Sequence, residues 1–209
     1  YISISVDRSD SVRLFVDGFL KSADNVSGIG DIFDNELLFM GVDVHGDYPF
    51  EGQLDELKIW NSVKTQDFFR EQRHLTAVPA NDADLVAYYQ FNRLDDEILD
   101  RVGANHSSYL DSISNVSSTA PLGGGVSDRV LVNSGGLHDF LNAKLQLTFP
   151  STGTYPDGEL VGSKIHVSAD TIPVENKPST SYWIIDNYGP NQSVSVLEEL
   201  TFVEIDTVH

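Results

Sequence analysis

The sequence predicts an all-β chain of two sandwiches in series, and three observations carry that prediction. Short segments such as YISISV, VRLFV, LKIW, AKLQLTF and SYWII alternate at period two. Glycine and aspartate turn chemistry, as at Asp17-Gly18, Gly41, Gly46 and Gly52, punctuates them. Only one stretch, VKTQDFFREQRH at Val63 to His74, carries a helical pattern.

In order, strands are expected at Tyr1 to Val6, Val12 to Val16, Glu36 to Met40, Gln53 to Trp60 and Leu85 to Phe91. Asp17-Gly18 closes a tight turn after VRLFV, and Thr65 is placed to cap the helical piece that bears Phe68 and Phe69. Between Asp111 and Gly125, DSISNVSSTAPLGGG offers Ser, Asn, Pro and consecutive glycines with almost no core, which predicts a linker over 111–125. Beyond it DRVLVNS, AKLQLTF, LVGSKIHVS, SYWIIDNYG and SVSVLEELTFVEI alternate at spacings that suit a second, smaller sandwich over 126–209.

The segment FEGQLDELKIWN, Phe50 to Asn61, joins a glycine turn to an alternating strand. Leu57 and Ile59 share one face and Glu56 and Lys58 the other, because successive side chains point to opposite sides. Asp55 then falls on the apolar face. A carboxylate there needs a hydrogen-bonding partner, a counter-charge or a metal, since burying it unpaired is very costly.

Against 32 acidic residues stand 13 basic ones, so the formal charge of −19 repels phosphate backbones and anionic membrane surfaces. Nucleic acid is excluded as a partner on that balance. No apolar run approaches the roughly 20 residues of a membrane-spanning helix, so direct membrane insertion is not expected. The chain has no cysteine, which removes disulfides and thiolate chemistry and leaves the compartment open. Tyr1 is not an initiator and both YISISVD and LTFVEIDTVH sit in strand-like alternation, so the chain reads as an excised fragment.

VRLFVDGFL at Val12 to Leu20, LLFMG at Leu37 to Gly41, FEGQLDELKIWN and DLVAYYQFN with ILDRVG occur in one order. In that order they resemble the laminin G-like, concanavalin A-like jelly rolls, over Tyr1 to Leu110. Such a jelly roll has about twice as many strands as stand here, so the resemblance implies that residues 1–110 are its C-terminal part. It also implies that a further segment or another chain completes the domain. The second half is similar to β-domains near the C-termini of large secreted Bacteroidota surface proteins. Four Asp-Ser/Thr-aliphatic triplets, beginning at Asp10, Asp111, Asp170 and Asp206, resemble the O-glycosylation acceptor of that phylum. Average usage supplies about one or two by chance.

Calcium is the cofactor this resemblance implies, because hard cations take several oxygen ligands and sandwich lectins often anchor one at a loop rim. Asp43 and Asp47, in GVDVHGDYPF, and Asp55 are the candidate ligands, with turn-forming aspartates the alternative reading. Tyr48, placed in that loop and not in a strand, is the candidate ligand-binding aromatic. Alternation requires one of Tyr182 and Trp183, and one of Tyr88 and Tyr89, to face inward.

Glucanases of the same architecture cut glycans with paired carboxylates on one strand face. They carry Glu-x-Asp-x-Glu or a one-residue-longer form, and no such triplet occurs here. Asp55 and Glu56 are adjacent. HExxH, GxSxG and phosphate-loop patterns are absent as well, and the six histidines are dispersed. The expected function is non-catalytic: a glycan- or protein-binding adhesion module of a large extracellular or cell-surface bacterial protein. The Bacteroidota resemblance adds type IX secretion and a link to gliding. An accessory domain of an extracellular glycosidase and a ligand-free docking component of a secretion or surface complex are the rival readings.

Overall fold

The computed structural model describes residues 1–30, 38–43, 45, 47–92, 97–108, 114–166, 180–195 and 197–203. Among the described residues it is all-β, interrupted by one short α-helix and a single 3-10 turn at Pro79–Asn81. Strands β1 (Ile2–Val6), β2 (Ser11–Val16) and β3 (Phe19–Asn25) form an antiparallel sheet in the order β1-β2-β3. Its hairpin turn is Asp17-Gly18, with φ of 51° and 76°, the positive pair that a two-residue turn matching strand twist requires. The β3 strand, FLKSADN, is mostly exposed, and its polar run hid it from an alternation reading.

Strand β4 (Leu57–Trp60) pairs with β5 (Leu85–Tyr89), and helix α1 (Gln66–Gln72) lies between them in the chain. The Thr65 hydroxyl accepts from the Phe68 amide at 3.2 Å, the N-cap expected from the sequence. The helix is shorter than its pattern, which ran from Val63 to His74. Strand β4 also starts late: Glu56 takes φ +54°, which breaks the alternation expected from Gln53 onward. Of the expected Glu36 to Met40 strand, residues 36 and 37 lie outside the described residues, and Leu38 to Met40 join no sheet. Two short strands, β6 (Glu97–Ile98) and β7 (Ser107–Ser108), complete the first half.

The second half holds β8 (Gly125–Val132), β9 (Gly136–Phe140), β10 (Leu145–Phe149), β11 (Gly158–Ile165), β12 (Tyr182–Asn187) and β13 (Glu199–Phe202). They form two three-stranded sheets, ordered β12-β11-β8 and β13-β10-β9. One core joins them: Val132 and Leu160 from the first sheet meet Phe140, Leu145, Leu147 and Phe149 from the second, with Trp183 packed alongside. Each such buried side chain contributes about 1.5–3 kcal/mol. Gly162 in β11 makes room for this packing, because a Cβ there would stand 2.9 Å from the Phe140 ring and 3.2 Å from Leu145.

The first half closes differently. Phe15 and Phe69 of α1 pack at 5.3 Å between ring centres, and the Ser5 hydroxyl donates to the Lys64 carbonyl at 2.8 Å, so α1 covers one face of the β1-β2-β3 sheet. The opposite face is aliphatic and open. Register places Ile2 opposite Val16, Ile4 opposite Leu14 and Val6 opposite Val12, and directly opposed residues share a face. Ile2, Ile4 and Val6 are 71 %, 62 % and 50 % exposed, although three in-phase β-branched residues are the sequence signature of a buried strand face.

Candidate functional site

The loop from residue 38 to residue 54 carries Asp43, Asp47 and Tyr48. The Asp43 Oδ1 accepts from the backbone amides of His45 (2.9 Å) and Asp47 (2.7 Å), while the Asp43 amide donates to the Asp47 carbonyl at 3.1 Å. This is an aspartate turn that closes on itself. Asp47 is exposed, and Asp55 is half-buried immediately before the left-handed Glu56. Among the described residues, no group of three or more His, Asp or Glu side chains is gathered so as to hold a metal ion. Tyr48 takes φ +55° and is 88 % exposed, with Phe50 two residues on at 57 %. The loop therefore presents two aromatic rings to solvent, held by the Phe50 amide donating to the Gly41 carbonyl at 2.7 Å.

A second constellation lies on the other side of the same segment. Because Glu56 departs from the strand, its carboxylate turns toward β5, where the Tyr88 hydroxyl donates to it. Gln90 Nε2 donates to Glu56 at 3.4 Å and to the Tyr88 oxygen at 2.9 Å. Lys58 Nζ stands 3.9 Å from Glu56 and donates to the Leu75 carbonyl at 2.6 Å. The Glu56 and Lys58 side chains are 10 % and 4 % exposed, so the charged face of this segment is an interior one.

Burial raises the Glu56 pKa above the ordinary carboxylate range, outweighing the Tyr88 hydrogen bond and the Lys58 charge. Burial likewise lowers Lys58, against the pull of Glu56 and Asp55. Tyr88 is pushed far up, first by burial and then by donating to a carboxylate that disfavours the phenolate. The Glu56 carboxylate, the Tyr88 hydroxyl, the Lys58 ammonium and the Gln90 amide nitrogen are turned to one another or to backbone. This set holds β4 and β5 together, with the Asp55 carboxylate close enough to act on both Glu56 and Lys58. Both Tyr88 and Tyr89 are buried, one on each face of β5, where alternation required only one.

A third cluster joins the halves. Arg70 of α1 pairs with Glu159 of β11 at 2.5 Å and lies over the Tyr188 ring at 4.6 Å. Arg129 of β8 reaches Asp67 (3.1 Å) and Glu71 (3.2 Å) of α1, and also Glu159. Arg73 bridges Asp186 (3.0 Å) and Asp17 (3.2 Å), and His74 meets Asp186 at 2.8 Å. None of these partners is near in sequence, and only the excess of Arg and His at the end of α1 hinted at them.

Comparison with known families bears on the first part of the chain. Residues 1–67 match a laminin G family model, described as the concanavalin A-like lectin/glucanases superfamily. That span holds β1 to β4, the aromatic loop and the start of α1. No curated protein and no solved structure matches the chain. No helix among the described residues is long and apolar enough to cross a membrane.

The Asp10-Ser11-Val12 triplet is not available as an acceptor in the fold: Ser11 is buried at the start of β2, and its hydroxyl donates to Asp10 at 2.9 Å. The triplets at Asp111, Asp170 and Asp206 lie in or run into residues outside those described.

Proposed function

We propose that the chain is a non-catalytic recognition module of an extracellular or cell-surface protein, binding a glycan or protein through the loop at residues 38–54. The observation that carries this reading is the exposed pair Tyr48 and Phe50, on a loop that lies within the span matched to the lectin-like superfamily. Flat, amphipathic rings beside polar groups are what sugar faces and protein hot spots stack on. Glu56, one of the two adjacent acids of the strand motif, is engaged by Tyr88 and Lys58. The uncovered aliphatic face of Ile2, Ile4 and Val6 supports reading the first half as part of a larger jelly roll.

Calcium would be held by Asp43, Asp47 and Asp55 if the resemblance carries that far. Asp43 already spends Oδ1 on its own loop and the three acids are not gathered, so the residues as placed do not fit a calcium cage, and the reading rests on the aromatics. Adhesion, type IX export and a Bacteroidota source belong to the same proposal and rest on the sequence resemblance alone. A ligand-free structural role is the second reading, favoured by the ion-paired seam that fastens α1 to the second sandwich.

Glycan-array binding of the wild type and of Tyr48→Ala, each with and without a chelator, tests the reading. Binding lost in Tyr48→Ala with an unchanged unfolding temperature supports it. Binding that survives the substitution refutes the loop assignment, and absence of any glycan signal, together with no protein partner, leaves the structural reading.

A further inference from the structure

His74 follows α1 and is buried, yet both of its ring nitrogens meet atoms that only accept. Nε2 lies 2.8 Å from Oδ2 of Asp186 in β12, and Nδ1 lies 3.1 Å from the carbonyl oxygen of Pro121, just ahead of β8. A neutral imidazole has one donor and one acceptor, so either tautomer sets a lone pair against a lone pair. The imidazolium alone donates to both.

We propose that His74 is a proton-dependent clamp that fastens the 120–123 segment and β12 to the end of α1, closed when both ring nitrogens carry protons and loosened when one is lost. The charges facing it come from every element packed there. Asp186 accepts from Arg73 at 3.0 Å as well as from His74, and Arg73 reaches Asp17 of the β2-β3 turn at 3.2 Å. Asp17 also pairs with the Tyr1 ammonium at 2.9 Å. Tyr188, after β12, lies under Arg70, which is paired with Glu159 of β11, and Arg129 of β8 shares that carboxylate. Asp186 therefore keeps one cation when the ring is neutral, whereas the Pro121 carbonyl has no other donor among the hydrogen bonds at this site.

Which contact opens follows from their strengths. The bond to the Asp186 carboxylate is charge-assisted and outlasts the bond to a neutral carbonyl. Loss of the proton thus leaves Nε2–H on Asp186 and a bare Nδ1 facing Pro121. The released segment is the one that the backbone ties beside it: the Gly123 amide donates to the His74 carbonyl at 3.1 Å, and the Thr76 amide to the Gly123 carbonyl at 2.9 Å. The clamp closes as pH falls and opens as it rises, the sense set by a pair of donors that only the imidazolium supplies.

The test uses the full chain. Nitrogen-15 spectra of the histidine rings should read both His74 nitrogens as protonated at pH 5 and Nδ1 as bare at pH 8. Exchange of the Gly123 amide, corrected for its intrinsic pH dependence, should be about tenfold faster at pH 8, the ratio set by one ordinary hydrogen bond. His74→Gln, which does not titrate, should give the faster exchange at both values. Equal Gly123 protection at the two pH values overturns the clamp, as does a pH dependence that persists in His74→Gln. If that variant does not fold, the wild-type ring and amide readings decide alone.

Discussion

Tyr88 donates its hydroxyl hydrogen to the carboxylate of Glu56, on the charged side of the FEGQLDELKIWN segment. The bond exists because Glu56 sits at φ +54° and turns its side chain inward beside Lys58. Removing one member of a buried ion pair strands the other, which costs about 3–5 kcal/mol. Lys58→Ala should therefore destabilise the chain by about 3 kcal/mol in urea unfolding. Adding Glu56→Gln, which removes the stranded charge and keeps an acceptor for Tyr88, should recover part of that loss; strict additivity in the double-mutant cycle would show that the two side chains do not interact.

Asp100 gives the acid limb of stability. Burial alone would raise its pKa, but the amides of Val102, Tyr88, Gly103 and Asn105 together hold it below the ordinary aspartate value. A lowered folded pKa contributes stability that is full above the unfolded value and is lost as pH falls through the folded one. Thermal midpoints measured from neutral pH downward should fall in that range, and Asp100→Asn should cost about 1–3 kcal/mol at neutral pH while flattening the fall. An equally steep fall in the variant would move the acid sensitivity to other groups.

Gly162 packs closely against the second core. A methyl at 2.9 Å from the Phe140 ring and 3.2 Å from Leu145 forces one of them off its place. Gly162→Ala should destabilise by about 1–3 kcal/mol, the usual cost of overpacking. Cutting Phe140 to Leu in the same chain should offset part of it, and a neutral Gly162→Ala would mean that β11 shifts freely.

The open face of β1 predicts a solvent-exposed apolar patch that binds hydrophobic dyes. Ile4→Ser, at a 62 % exposed position, should lower dye fluorescence and leave the unfolding free energy within about 0.5 kcal/mol. A large loss of stability would show that Ile4 is covered in solution.

What was legible in the sequence was local. Asp17-Gly18 names its own turn, Thr65 its own cap, and VRLFV and AKLQLTF their own strands, because each signal and its partner lie within a few residues. The buried Glu56 network was not legible, since Tyr88 is 32 residues away and a positive φ at a glutamate leaves no mark in the pattern. The His74–Asp186 contact spans 112 residues, beyond any spacing rule. Strand β9, GLHDF, escaped for the opposite reason: it is short, mostly exposed and held by its register with β10. For the candidate site, the sequence located the loop and its exposed Tyr48, whereas Asp43 revealed only after folding that it ties down its own turn.

Helix α1 is fastened to the second sandwich by two links that share a node: Arg70 runs from the helix to Glu159, and Arg129 runs from β8 back to Asp67 and Glu71 while also holding Glu159. Under tension between the halves these links bear load side by side, so neither can rupture first without transferring its share to the other. Seven residues of helix are the coupling through which any such load would pass.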